Sequence, residues 1–217
     1  MTAGGSRTAL TCLSIAVVAA YATVLMVNAP AAIGVVFAAT ALTFILAKIA
    51  ALPNPASVAA GAPYIGLPLI ALVSLRGDPV HGFGLLMFLV LVVWANDIAA
   101  YAVGRTLKGP KLAPAISPNK TWSGSIGGIV FGAGIASAAA AVLSLGHPLT
   151  MAIVGSVLGV AGQIGDLFES FVKRRFKVKD SGVLIPGHGG MLDRVDSLIT
   201  GAVFLGLVHL SFGEWLG

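Results

Sequence analysis

Long apolar runs, separated by charged or Pro/Gly-rich breaks, constrain the fold of this chain more than any other feature. A helix needs about 20 mostly apolar residues to cross a bilayer. Only 10% of the residues are charged, against roughly 25% in soluble domains. We therefore predict an all-α, polytopic integral membrane protein with about seven transmembrane helices, forming a single membrane-embedded domain over residues 1–217. The runs lie at about 8–27, 31–51, 57–75, 83–103, 124–144, 149–169 and 198–216.

Three features refine the first three runs. The first run follows Arg7 and ends near Asn28–Ala31, as in a signal peptide, but it exceeds the roughly 7–15 apolar residues typical of one. We therefore expect a retained helix. Cys12 is the sole cysteine, which excludes an internal disulfide and a cysteine-rich metal site. Pro63 and Pro68 predict a kinked or broken third helix.

The basic residues predict the orientation of the helices. The net charge of +5 and the pI near 9.7 do not require a nucleic acid partner, because Lys and Arg accumulate in short cytoplasmic loops. With a cytoplasmic N-terminus and seven crossings, Arg76 is the only one of the 13 cations placed outside. The cytoplasmic side then holds Arg7, Lys48, Arg105, Lys108, Lys111, Lys120, Lys173, Arg174, Arg175, Lys177, Lys179 and Arg194.

Acidic residues occur where a membrane helix would normally exclude them. Of only eight acids, Asp97, Asp166 and Glu169 lie within apolar runs, and ionisable groups there usually face a bundle interior or a water-filled cavity. Each lies near the predicted cytoplasmic end of its helix. Asp166 and Glu169 are three residues apart and share a helical face, as do Asp193 and Asp196 if DRVDS begins the last helix.

Two interpretations of these acids stay open. Asp193 or Asp196 can cap the last helix, and Glu169 can pair with Lys173 at i+4. Neither role explains why acids on three helices share one membrane level. Converging carboxylates repel one another unless a cation lies between them, and oxygen ligands suit Mg²⁺. We therefore predict a metal site, with Mg²⁺ alone or with a second cation, whose ligands are Asp97, Asp166, Asp193 and Asp196.

Cations and a Gly/Pro-rich loop, IPGHGG, surround the acids. Lys, Arg and the backbone N–H groups of Gly-rich turns hold phosphates and neutralise charge during phosphoryl transfer. The positive-inside rule and contact with anionic lipid explain Lys108, Lys111 and Lys177 well enough. For His188 we expect a binding role rather than proton transfer. The cations predicted to contact phosphate groups are Arg105, Lys120, Lys173, Arg174, Lys179 and Arg194.

From Ser170 onward, the stretch SFVKRRFKVKDSGVLIPGHGGMLDRVD resembles the signature of the phosphatidate cytidylyltransferase (CDP-diacylglycerol synthase) family. Further stretches are similar to the same family: YIGLPLIALVSLR at 64–76, NDIAAYAVGR at 96–105, ISPNKTWSGSIGG at 116–128 and QIGDLFES at 163–170. The resemblance covers about 62–217, preceded by two predicted transmembrane helices in 1–61. Ser123 stands where the family usually has an acidic residue, which leaves that acid's role unfilled.

The resemblance implies Mg²⁺-dependent conversion of CTP and phosphatidate to CDP-diacylglycerol and pyrophosphate, in phospholipid biosynthesis. The expected partners are CTP, phosphatidate in the bilayer and membrane lipids, with no nucleic acid and with a homodimer left open. The expected location is a bacterial inner membrane, with the site facing the cytoplasm. The residues expected to be catalytic are Asp166, Asp193, Asp196, Lys173 and Arg194. Those expected to bind substrate are Arg105, Lys120, Ser170, Arg174, Lys179, Asp180, His188, Gly189 and Gly190.

Two other functions compete with this one. A CDP-alcohol phosphotransferase would consume CDP-diacylglycerol, but its Asp-Gly-x-x-Ala-Arg pattern does not occur in the sequence. An ion or phosphate transporter would place acids near mid-membrane and would carry inverted repeats. The acids here cluster towards one face, and no repeat is visible.

Overall fold

A computed structural model describes residues 3–178, 181, 190 and 192–212; the side chains of 3–10, 12, 13, 16 and 194 lie outside that description. Within it the chain is overwhelmingly helical, which confirms the predicted all-α membrane fold. The chain forms two compact units, Met1–Asp78 and Pro79–Gly217. The single domain expected from the sequence stays a prediction.

Helices of membrane-spanning length and hydropathy account for most of the described residues. Six candidate spans are found there, and the N-terminal helix adds the shorter apolar segment Val17–Met26. The chain is thus an integral membrane protein, while the predicted count of seven crossings stays a prediction. The six spans are Ala29–Ile49, Pro55–Arg76, Gly82–Leu107, Trp122–Leu143, Pro148–Arg175 and Val195–Phe212.

The first unit contains helices α1 (Ala3–Met26), α2 (Ala29–Ile49), α3 (Pro55–Ala59) and α4 (Gly61–Arg76). A tight turn joins α1 to α2, because the Asn28 side chain accepts a hydrogen bond of 2.8 Å from Ala31 N–H and so caps α2. Small and branched apolar side chains from α1, α2 and α4 form the core: Ala20, Ala29, Ala32, Val36 and Ile70.

The third apolar run is broken, as the sequence predicts, and the break lies at Ala60 between α3 and α4. Pro63 falls in the first turn of α4, where its missing N–H removes no helical hydrogen bond. Pro68 lies inside α4 and is buried. The first proline is therefore accommodated by starting a new helix, whereas the second is retained within one.

The second unit contains α5 (Gly82–Leu107), β1 (Lys111–Ala113), β2 (Ser117–Thr121), α6 (Trp122–Leu143), α7 (Pro148–Arg175) and α8 (Leu192–Phe212). Consecutive helices pack on one another, and α5 also contacts α7 and α8. Helices α5 and α7 continue past the apolar runs, to Leu107 and Arg175. Helix α8 begins at Leu192, before its apolar run, so Asp193 and Asp196 occupy its first turns.

Glycines bring α5 and α6 into backbone contact. A Cβ added to Gly124 would lie 2.5 Å from the Ala100 carbonyl oxygen, and one added to Gly128 would lie 2.8 Å from the Asn96 carbonyl oxygen. Both distances are below van der Waals contact, so no larger residue fits without displacement. Small residues thus serve the close helix packing that is typical of membrane proteins.

A short antiparallel hairpin joins α5 to α6 and is absent from the sequence-based prediction. Lys111 pairs with Thr121, and Ala113 pairs with Ser117. Thr121 is also the N-cap of α6, because its Oγ1 accepts a hydrogen bond of 3.2 Å from Gly124 N–H. The Ser123 hydroxyl donates to the Lys108 carbonyl oxygen. The hairpin is therefore fixed to both helices that it connects.

Candidate functional site

One end of the second unit encloses a cavity of about 1100 Å³. Five cations and four aspartates line it, mainly from α5, the hairpin, α7 and the first turns of α8. Such mixed charge is suited to a charged ligand rather than to an apolar one. The charged lining residues are Arg105, Lys108, Lys111, Lys120, Lys173, Asp97, Asp166, Asp193 and Asp196.

Three aspartates from three different helices face this cavity. Asp97 on α5 accepts a hydrogen bond of 3.2 Å from the Asn96 side chain. On α7, Asp166 lies 2.5 Å from the Lys120 ammonium, and the Ser170 hydroxyl lies 3.4 Å from its Oδ1. Asp196 on α8 accepts 2.8 Å from Ser197 N–H. The three aspartates therefore line one cavity, and their convergence on a metal ion stays a prediction.

Asp193 has a different set of contacts, which fills both of its oxygens. Lys173 Nζ donates to Oδ1 at 2.7 Å, and Gly190 N–H donates to Oδ2 at 2.7 Å. The Ser181 N–H and hydroxyl each donate to Oδ2 at 2.9 Å. Asp193 therefore connects α8 to the two residues that flank 182–189.

These contacts also set the ionisation of Asp193. Partial burial acts to raise the pKa of the Asp193 carboxyl, but the hydrogen bonds from Lys173, Ser181 and Gly190 outweigh it and hold the pKa well below its usual value. Asp193 is therefore a carboxylate at every physiological pH, and its charge balances that of Lys173.

Lys173 lies between two acids. Besides Asp193, its ammonium lies 3.4 Å from Glu169 Oε2, so the i,i+4 pair weighed from the sequence is present. Glu169 is only 5% exposed, and among the described residues its oxygens accept no hydrogen bond. Glu169 also lies beside Asp196, close enough for their charges to interact. Lys173 thus offsets negative charge from both α7 and α8.

A buried amide network supports Asp97 and has no counterpart in the sequence analysis. Gln163 Nε2 donates to Asn96 Oδ1 and to the Ser125 carbonyl oxygen, both at 3.1 Å, and the Ser125 hydroxyl donates to Gln163 Oε1. Asn96 is 1% exposed. Satisfied buried amides have few alternative arrangements. The network therefore fixes the position of the neighbouring Asp97.

The hairpin side of the cavity is cationic. Arg105 donates 2.7 Å to the Tyr101 hydroxyl, and Lys108 and Lys111 follow it along the chain. From the sequence, the positive-inside rule and contact with anionic lipid are enough to explain both lysines. The structure places both in the wall of the cavity that also contains Asp166.

The other predicted site residues fall into three groups: some contact the site, one lies outside the cavity, and the rest lie outside the described residues. Gly190 contacts the site through its backbone, and Ser170 lies beside Asp166. Arg174 is exposed on α7 and does not line the cavity. Lys179, Asp180, His188, Gly189 and the side chain of Arg194 lie outside the described residues.

The aspartates have the right chemistry for Mg²⁺. Among the residues that the structure describes, no three His, Cys, Asp or Glu side chains are grouped closely enough to form a complete metal site. Mg²⁺ does not require one, because it keeps several waters and is held by one or two carboxylates together with substrate phosphates. Asp97, Asp166 and Asp196 supply such oxygens to a cavity that is also lined by cations.

Comparison with known proteins identifies the family. The cytidylyltransferase family model matches residues 2–212. A phosphatidate cytidylyltransferase of Brucella suis biovar 1 (strain 1330) is 51% identical over 160 residues, which cover 72% of this chain and 58% of the relative. Proteins of that name from Rickettsia bellii (strain RML369-C) and Bacillus subtilis (strain 168) are 40% and 41% identical over 67% and 65% of this chain.

The chain belongs to the cytidylyltransferase family. The matched region spans 58%, 65% and 53% of the lengths of these three relatives, which is less than two thirds of each.

Proposed function

We propose that this chain is a phosphatidate cytidylyltransferase, which converts CTP and phosphatidate to CDP-diacylglycerol and pyrophosphate. The observation that carries the proposal is the cavity itself. Carboxylates from three membrane helices meet cations from the hairpin and α7 at one end of the bundle, in a member of the cytidylyltransferase family. The names of the relatives supply the substrates.

In the proposed reaction a phosphatidate oxygen attacks the α-phosphorus of CTP. The new O–P bond forms as the bond between the α-phosphorus and the α,β-bridging oxygen breaks, and the electrons of that bond leave with pyrophosphate. Phosphatidate carries an anionic oxygen near neutral pH, so no strong general base is needed. The main task of the protein is to orient two anionic substrates and to offset their repulsion.

The residues divide this task between them. Asp97, Asp166 and Asp196 are the proposed Mg²⁺ ligands, and the bound ion would neutralise phosphate charge and orient the phosphates. Lys120 and Lys173 contact aspartates and would add positive charge for the substrate phosphates. In this proposal Asp193 acts by holding Lys173 and the backbone of Ser181 and Gly190 in place.

The location of the cavity explains how a lipid and a nucleotide could meet. It lies at the ends of membrane-spanning helices, where a lipid phosphate can enter while its acyl chains stay in the bilayer. The basic residues of the chain favour the cytoplasmic side for this end. We therefore place the site at the cytoplasmic face of a bacterial inner membrane.

The test is a transfer assay with the purified protein in detergent, phosphatidate, radiolabelled CTP and Mg²⁺. We expect label in the lipid phase, lost with EDTA and lost with Asp196→Asn, because the substitution removes a charge that faces the cavity. Asp78→Asn is the matched control, since Asp78 is an acid outside the cavity and should leave activity unchanged. Thermal unfolding of each variant separates lost chemistry from lost fold.

A wild-type protein that transfers no label, with a related synthase active in the same detergent, would overturn the proposal. Uptake of phosphate or divalent cations into proteoliposomes would then be the next measurement. Full activity of Asp196→Asn would instead remove that residue from the proposed site.

A further inference from the structure

We propose that Lys108 and Lys111 bind the β- and γ-phosphates of the nucleotide and then the leaving pyrophosphate. This inference rests on the proposed function and adds the orientation of the nucleotide in the cavity. The nucleotide phosphates would run from the aspartates towards the hairpin, and pyrophosphate would leave on the hairpin side. The general attraction of basic loops to the membrane surface predicts no such role.

Four of the five cations in the cavity fall into two groups. Lys120 and Lys173 are ion-paired, with Asp166 at 2.5 Å and Asp193 at 2.7 Å. Over residues 3–178, 181, 190 and 192–212, neither Lys108 nor Lys111 forms a salt bridge with a carboxylate. Among the described residues, no carboxylate balances the charge of Lys108 or Lys111, whereas the charges of Lys120 and Lys173 are partly balanced.

Asp97 and Lys108 lie at different levels of the cavity along α5. Asp97 and Lys108 are separated by 11 positions, and a helix rises about 1.5 Å per residue, so about 16 Å separates them along the axis. Both residues line the cavity. A polyphosphate in the cavity is attracted by Lys108 and Lys111, and it is repelled by the aspartates unless a metal ion compensates their charge.

The backbone that carries Lys108 is held in place by its neighbours. Lys108 has φ 54° and ψ −143°, and Gly109 has φ 110°. A residue with a Cβ rarely adopts such a conformation unless surrounding contacts require it. Here the Ser123 hydroxyl donates to the Lys108 carbonyl oxygen, and Trp122 N–H donates 3.0 Å to the Pro110 carbonyl oxygen. The lysine is therefore presented from a fixed point in the wall.

The β1 strand positions Lys111 in the same wall. Lys111 pairs with Thr121, which is buried and caps α6. Because the hairpin is joined to α6 at this point, Lys111 and Lys108 belong to one hydrogen-bonded connection between α5 and α6. Two cations carried by one such connection suit a ligand with two linked phosphates better than they suit mobile lipid head groups.

The test measures pyrophosphate binding directly and through product inhibition. Lys108→Gly removes the cation and suits the positive φ, so it should fold at least as well as the wild type. Lys111→Gln removes the second cation and keeps much of the side chain. Arg175→Ala is the matched control, because Arg175 is an exposed cation on α7 outside the cavity.

We expect each lysine substitution to weaken inhibition by pyrophosphate about tenfold, as for loss of one charge-assisted phosphate contact. Calorimetric titration with inorganic pyrophosphate and Mg²⁺ should show the same loss. The KM for phosphatidate should stay unchanged, and Arg175→Ala should match the wild type in every measurement.

Unchanged pyrophosphate binding in both lysine variants would overturn the inference. So would a raised KM for phosphatidate with unchanged pyrophosphate inhibition, which would assign the lysines to the lipid head group. A wild type without transferase activity would refute the proposed function instead, and calorimetry would still decide whether these lysines bind pyrophosphate.

Discussion

Replacing Lys173 by methionine should destabilise the protein through the two acids that this lysine contacts. Its ammonium lies 2.7 Å from Asp193 Oδ1 and 3.4 Å from Glu169 Oε2. Methionine keeps most of the apolar stem while it removes the charge. The substitution therefore isolates the ionic contribution of Lys173 from its packing.

The magnitude follows from the surroundings of each acid. Asp193 loses one charge-assisted hydrogen bond, worth about 1.5–3 kcal/mol, but keeps its donors from Ser181 and Gly190. Glu169 is 5% exposed and loses its close cation. Removing one partner of a buried ion pair costs about 3–5 kcal/mol. The Lys173 side chain is 17% exposed, so we expect the lower end of this range, about 3 kcal/mol.

Thermal unfolding in detergent measures this effect. A loss of about 3 kcal/mol should lower the unfolding midpoint by about 6–12 °C for a chain of this size. Lys173→Arg is the matched control, because it keeps the charge, and it should recover most of the midpoint. The double variant Lys173→Met with Glu169→Gln should be more stable than Lys173→Met alone, since the buried charge is then gone.

Two results would refute this reasoning. A Lys173→Met midpoint equal to that of the wild type would mean that solvent or another cation replaces the ammonium. Strictly additive effects of Lys173→Met and Glu169→Gln would mean that the two residues do not interact energetically.

Three further predictions concern other parts of the second unit. Hydrogen bonds hold the pKa of Asp193 below the usual 3.8, so its stabilising charge is present above that value and is lost as the pH falls below it. The difference in unfolding midpoint between wild type and Asp193→Asn should therefore stay constant from about pH 8 to 5 and shrink below about pH 4. A difference that shrinks already by pH 6 would contradict this. Gly124→Ala should destabilise the protein by about 1–3 kcal/mol, because its Cβ would lie 2.5 Å from a carbonyl oxygen of α5. The Cβ of Gly134→Ala, on the same helix, meets nothing within 4 Å, so this variant should keep or raise the thermal midpoint. Equal losses in the two variants would refute the packing argument. Gln163→Leu removes a donor from Asn96, which is 1% exposed, and should cost about 1–3 kcal/mol in thermal unfolding; a wild-type midpoint would show that the amide network is dispensable.

Asp97 and Asp166 could be predicted because each lies within an apolar run, whereas Asp196 could be predicted from its place in the polar stretch DRVDS. An ionisable group in an apolar run has a large desolvation cost, so its presence indicates a polar cavity. The described structure places Asp97, Asp166 and Asp196 in one. The helices could be predicted for a related reason, since apolar runs of this length have few alternatives to a membrane helix.

Other parts of the site leave no comparable signal. Lys108 and Lys111 satisfy the positive-inside rule whether or not they face a cavity. Neutral Asn96 and Gln163 have a smaller cost in a membrane helix than a charge does, so their partners emerge only from the packing of α5, α6 and α7.

The hairpin and the contacts of Asp193 depend on tertiary structure. Strand β1 has three residues and β2 has five, too few to show an alternating pattern. Asp193 binds the backbone of two residues nine positions apart, Ser181 and Gly190. Periodicity along the sequence does not predict such a tertiary contact.

The backbone contact between α5 and α6 has a consequence for how the cavity responds to heat. At Gly124 and Gly128 backbone of α5 lies against backbone of α6, so these two contacts depend little on side-chain rotamers that redistribute as temperature rises. Asp97 follows directly after Asn96, whose carbonyl oxygen lies at that contact. The spacing between Asp97 and α6 should therefore vary little with temperature, and thermal softening should begin where longer side chains form the wall.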